Sequence, residues 1–134
     1  MSNYSTEMQI LFCAIALGIA QLLIAVLASV GARGLPWAAG PRDEPGAPLG
    51  KFGSRLDRAY GNFLETFPFF AAAVLLAHAL DKSTTNSVLG AQIYIWARLL
   101  YTPAYVFAIP FLRTLIWVAS LVGILMVMSA IWPG

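Results

Sequence analysis

Four apolar stretches follow one another along the chain, and a polar stripe marks the start of the second. Ile10–Val30 is a run of 21 residues interrupted only by Gln21 and small residues, about the length that crosses the hydrocarbon core of a bilayer. Ala14 and Gly18 within it have the small-xxx-small spacing that lets helices pack closely. The second run extends from about Leu56 to Leu80 and contains Pro68, an interruption that a membrane bundle tolerates. A third covers Val88–Ala108, and after Pro110 a fourth covers Arg113–Trp132. Helices are therefore expected over about 7–31, 56–80, 88–108 and 112–132. The links 81–87 and 109–112 are short enough to imply antiparallel neighbours. The predicted fold is all-α: an integral membrane four-helix bundle, up-down-up-down, in one domain spanning 1–134.

Between the first two helices the pattern breaks. Gly31–Gly53 holds six of the eleven glycines and four of the eight prolines. Pro36, Pro41, Pro45 and Pro48 argue against helix, and no alternation suggests strand, so this is expected to be a loop outside the membrane. Leu35-Pro36-Trp37 would sit at the interface.

Composition agrees with the pattern. Of the 134 residues 60% are hydrophobic and 10% charged, and a soluble globule of this size could not hide so much apolar surface. A net charge of +2 without a basic, aromatic-interleaved run argues against nucleic-acid partners. The N-terminus has Glu7 where a signal peptide would be basic, so it reads as a retained first membrane helix. Cys13 is the single cysteine and sits in an apolar run; His78 is a lone imidazole with no ligand-spaced His or Cys, so no metal site is expected. Positive charge collects in the 31–58 segment (Arg33, Arg42, Lys51, Arg55, Arg58) and at Arg113, with only Lys82 on the opposite side. The positive-inside rule then places that loop and the 109–112 turn in the cytoplasm and both termini outside.

The stripe is Arg55, Arg58, Asn62 and Glu65, spaced 3, 4 and 3, hence on one helix face. Charges inside a bilayer cost roughly 2.5–3.5 kcal/mol each on insertion scales, so these need partners: one another, another helix, or a charged ligand. Helix three adds Arg98, Tyr101 and Tyr105 at spacings 3 and 4. Arg98 and Glu65 lie at similar depth, about 10–15 Å from the cytoplasmic end at 1.5 Å per residue, and are expected ion-pair partners. Arginines suit carboxylates, Glu65 an ammonium, Asn62 an amide, and the tyrosines either role; a small zwitterionic peptide with more than one carboxylate matches that set. A rim arginine, Arg113 or Arg33, would favour the thiolate of a ligand thiol. The bland alternative is a structural polar network fixing helix register, with Arg113 simply snorkelling to headgroups.

Arg58-Ala-x-x-Asn62-x-x-Glu65-x-x-Pro68 resembles the second-helix signature of the MAPEG proteins, membrane-associated proteins of eicosanoid and glutathione metabolism. Ala97-Arg98-x-x-Tyr101-x-x-x-Tyr105 resembles their third-helix signature. The resemblance implies a homotrimer with glutathione as co-substrate between subunits, contacted by Arg58, Asn62, Glu65, Tyr101 and Tyr105. It further implies Arg113 (alternatively Arg33) as the catalytic cation, with Arg98 structural. Gly61 departs from prostaglandin-synthase-like members, which carry an arginine there, so prostaglandin chemistry is disfavoured. The resulting expectation is a multi-pass, bacterial-type inner-membrane enzyme with its site facing the cytoplasm. It would conjugate glutathione to lipophilic electrophiles, or reduce lipid hydroperoxides with it. The alternative is a non-catalytic membrane trimer that binds a lipid or a protein partner.

Overall fold

The computed structural model describes residues 5–133. α1 (Thr6–Arg33) opens on Ser5, whose hydroxyl accepts from the Met8 N–H at 3.2 Å, and closes on Gly34 with φ 85°. Glu7 in its first turn suits the positive end of the helix dipole. α2 (Leu35–Ala39) is a single short turn of helix; α3 (Gly50–Ala79), α4 (Thr85–Val106) and α5 (Leu112–Ser129) complete the chain. Among the described residues every regular element is helical, as expected.

Three boundaries differ from the sequence pattern for identifiable reasons. α2 forms where the prolines argued against helix, because Pro36 occupies its first turn, where an N–H has no helical partner to lose. α3 begins at Gly50 rather than near Leu56: its first turns are polar, yet Gly53 is buried, and a Cβ there would stand 3.8 Å from the Ala28 Cβ on α1, so tertiary contact extends the helix past the apolar run. α4 begins at Thr85, three residues early, because Thr84 and Ser87 form a reciprocal capping box.

α1, α3 and α5 are long and apolar enough to cross a membrane by length and composition. α4 has 22 residues but carries Gln92 and Arg98 within it. Side-chain pairs give the directions. Glu7–Ser87 and Gln21–Thr102 make α1 and α4 parallel. Thr66–Tyr94 and Asn62–Arg98 make α3 and α4 antiparallel, and Asn86–Ser129 with Arg98–Ser120 does the same for α4 and α5. The order is up-down-up-down. The core gathers Leu11, Ala14, Phe70, Val74, Ala91, Tyr94, Ile124 and Val127, centred on a Phe70–Tyr94 stack with ring centroids 4.0 Å apart. The Tyr94 hydroxyl is satisfied by Thr66 at 3.1 Å. Arg33, Arg55, Arg58 and Arg113 therefore lie toward one end of the bundle, and Glu7, Ser83 and Ser87 toward the other.

Candidate functional site

At the arginine end, α3, α4 and the start of α5 enclose two adjoining clefts. The larger, about 410 Å³, is walled by Arg55, Arg58, Tyr105, Ile109, Pro110 and Arg113. The smaller, about 190 Å³, is walled by Asn62, Tyr101, Arg113, Thr114 and Trp117. Arg113 is the wall they share. Its guanidinium carbon lies 4.8 Å from the centroid of the Tyr105 ring, and that of Arg58 lies 5.7 Å from the same ring. Both cations thus bear on the one Tyr105 ring, an attraction worth about 0.5–1 kcal/mol each at exposed sites. Tyr101 and Tyr105 follow with ring centroids 5.9 Å apart.

Behind this surface sits Arg98, fully buried. It donates to Asn62 Oδ1 at 2.9 Å and to Ser120 Oγ at 3.4 Å, and its guanidinium lies 4.4 Å from the Tyr101 ring centroid. No hydrogen bond joins it to Glu65, and its Nε has no partner. The expected Arg98–Glu65 ion pair is therefore replaced by an amide and a hydroxyl. The reason is azimuth: Glu65 is three residues from Asn62, about 60° round the helix at 100° per residue, enough to turn it out to an exposed position. By accepting from Arg98, the Asn62 carbonyl oxygen is committed inward, which leaves the amide N–H₂ as its free donor group.

Of the sequence-derived residues, then, Arg58, Tyr105 and Arg113 meet in one cleft, Asn62, Tyr101 and Arg113 in the next, and Glu65 lines neither. Arg33 lies apart. Its Nε donates to the Ala47 carbonyl at 2.8 Å and its guanidinium lies 5.0 Å from the Trp37 ring centroid, so it ties down the 34–49 segment. It walls a different cleft, about 260 Å³, with Arg42, Asp57 and Tyr60.

Arg55, from the stripe on α3, lines the larger cleft as well, and Thr114, Trp117 and Ser120 joined the site without having been singled out for it. Arg55 donates to the Val106 carbonyl at 2.9 Å, satisfying an acceptor left free at the end of α4 while lining the larger cleft. A signal for the α5 residues was present: Arg113, Trp117 and Ser120 are spaced 4 and 3, one face of a helix.

The MAPEG family model matches residues 10–132, nearly the whole chain. The chain belongs to the MAPEG family. No curated protein and no solved structure matches it at a significant level. Membership makes this a membrane helical-bundle protein of a family associated with eicosanoid and glutathione metabolism.

Proposed function

We propose that this MAPEG protein is a glutathione-dependent membrane transferase, with peroxidase activity toward lipid hydroperoxides as the second chemistry of the same thiolate. The observation that carries the reading is Arg113, the common wall of both clefts, facing Tyr105, with Arg58 against the same ring. Three arginines on the larger cleft match the two carboxylates of glutathione. The Asn62 amide donates to a peptide carbonyl, and the cation of Arg113 favours loss of the thiol proton to solvent. Conjugation then forms a carbon–sulfur bond as the electrophile's leaving group departs with its electron pair. In the peroxidase reaction two glutathiones are oxidised to the disulfide while the hydroperoxide is reduced to alcohol and water. Catalysis rests on holding a thiolate beside an apolar phase.

Arg58 and Glu65 are both exposed on α3, a helix apolar enough to span the membrane. Leaving them toward lipid is costly, so a further copy of the chain is the natural cover. A homotrimer would bring Glu65 to a site shared between subunits, where it takes the ligand ammonium.

The test is calorimetric titration of glutathione into the detergent-purified protein, with Arg113→Ala and Glu65→Gln alongside. Saturable binding weakened by Glu65→Gln is expected. Arg113→Ala should retain binding but lose the ultraviolet thiolate absorbance, and turnover should fall roughly a hundredfold or more, the scale of losing one charge-stabilising group. Unchanged turnover removes Arg113 from the mechanism. Absence of binding at millimolar glutathione favours instead the non-catalytic scaffold for a lipid or protein partner.

A further inference from the structure

The opposite end of the bundle holds a buried carboxylate that the arginine clefts do not use. Glu7, in the first turn of α1, is only 2% exposed. Its Oε1 accepts from Ser83 Oγ at 2.7 Å and Ser87 Oγ at 2.6 Å, which pins α1 to the α3–α4 turn and the start of α4. Its Oε2 is buried and has no hydrogen-bond partner. A carboxylate oxygen withdrawn from water without a donor is unfavourable, so this one calls for a donor from outside the described residues.

Glu7 also walls a cavity of about 200 Å³ together with Ser5, His78, Asp81, Lys82 and Ser83, none of which lines the clefts at Arg113. Glu7 and Asp81 set two carboxylates against the one ammonium of Lys82 on this wall, with His78 beside them, so the cavity favours a group that carries a cation. A metal ion fits poorly, since Glu7, His78 and Asp81 share the wall but do not converge as ligands on one point, and no other such group of three gathers among the described residues. The space suits a small organic group instead. A primary ammonium offers three N–H donors, enough for Oε2, Asp81 and a serine hydroxyl; a quaternary ammonium has none to offer Oε2. The location adds a second constraint. The cavity lies where α1 begins and α3 ends, two of the long apolar helices, and so at the level of lipid headgroups. Lys82, exposed on the same cavity, supplies a cation for a phosphate beside the ammonium.

We propose that this cavity binds an ethanolamine-type headgroup of a zwitterionic phospholipid, its primary ammonium between Glu7 and Asp81 and its phosphate at Lys82. The bound headgroup would clamp α1 to the α3–α4 turn by completing the hydrogen bonding of Glu7. It is independent of the glutathione reading, since it shares no residue with it.

The experiment is thermal unfolding of the detergent-purified protein titrated with phosphatidylethanolamine or with phosphatidylcholine of the same acyl chains. Wild type should rise in melting temperature saturably with the ethanolamine lipid and little with the choline lipid. Glu7→Gln should weaken the ethanolamine response roughly tenfold or more in half-saturating concentration, the loss of one charge-assisted hydrogen bond. If that variant does not fold, Asp81→Asn and Lys82→Ala, both exposed turn substitutions, take its place and should each weaken the same response. Equal responses to the two lipids, or an undiminished ethanolamine response in both turn variants, overturns the proposal. Free phosphoethanolamine in lipid-free detergent separates the sources. A weak response supports a membrane lipid, and a full response at equal concentration overturns the lipid assignment in favour of a soluble ligand.

Discussion

Arg98 is buried completely in α4, and what answers its charge is an amide and a hydroxyl rather than a carboxylate. Removing one partner of a buried charged group costs more than the bond itself is worth, because the charge stays behind. Ser120→Ala, which deletes the 3.4 Å partner, should therefore lower stability by about 1–3 kcal/mol in a denaturant titration in detergent. Arg98→Ala should cost more, since it strands Asn62 and Ser120 and leaves a cavity behind Tyr101. A Ser120→Ala protein as stable as wild type would show that the hydroxyl contributes nothing to holding the cation. Arg98 was legible in the sequence as a mid-helix cation at the depth of Glu65. The sequence could not give the azimuth that separates Asn62 from Glu65, because that depends on how α3 is rotated against α4.

The helices themselves were largely legible, their contacts less so. Apolar run length located all four long helices; hydropathy missed the polar turns that begin α3, where buried Gly53 faces Ala28, and the capped first turn of α4. The small-residue spacing at Ala14 and Gly18 pointed to close packing, and Gly18 does lie against the Phe63 ring. A close backbone approach lies elsewhere, between Gly90 of α4 and Gly123 of α5; Ala119 and Gly123 repeat the same spacing, while Gly90 has no small residue four positions away on either side. A Cβ at Gly123 would stand 2.6 Å from the Gly90 carbonyl oxygen and 3.0 Å from the Tyr94 nitrogen. Those are backbone atoms that cannot rotate aside, so the helices must part. Gly123→Ala should destabilise by about 1–3 kcal/mol or more, the cost of an overpacked core. Gly61, also helical, has nothing within 4 Å of such a Cβ, and Gly61→Ala should instead be neutral or stabilising by up to about 1 kcal/mol. Equal effects of the two substitutions in thermal unfolding would show that the α4–α5 approach is looser than drawn.

At the scale of the whole molecule the charges sort by end. Arg33 closes α1, Arg55 and Arg58 lie in the opening turns of α3, Arg113 opens α5, and Arg42 and Lys51 belong to the connecting segment or the first residues of α3. Lys82 alone stands at the other end, in the α3–α4 turn. An excess of basic residues in short connecting segments sets orientation during insertion, so the Arg113 clefts should face the cytoplasm. Paired cysteines test this in a Cys13→Ala background. Asp43→Cys lies exposed at the arginine end, and Thr85→Cys lies exposed at the other. A membrane-impermeant maleimide applied to intact cells should label Thr85→Cys and reach Asp43→Cys only after permeabilisation. The reverse pattern would turn the molecule over, placing the clefts where cytoplasmic glutathione is absent; the glutathione reading would then need another thiol. Labelling of both positions in intact cells would mean mixed insertion, and the charge asymmetry would be too weak to decide topology. The same measurement bears on the Glu7 cavity, because the end that Thr85 marks fixes which leaflet's headgroups that cavity meets.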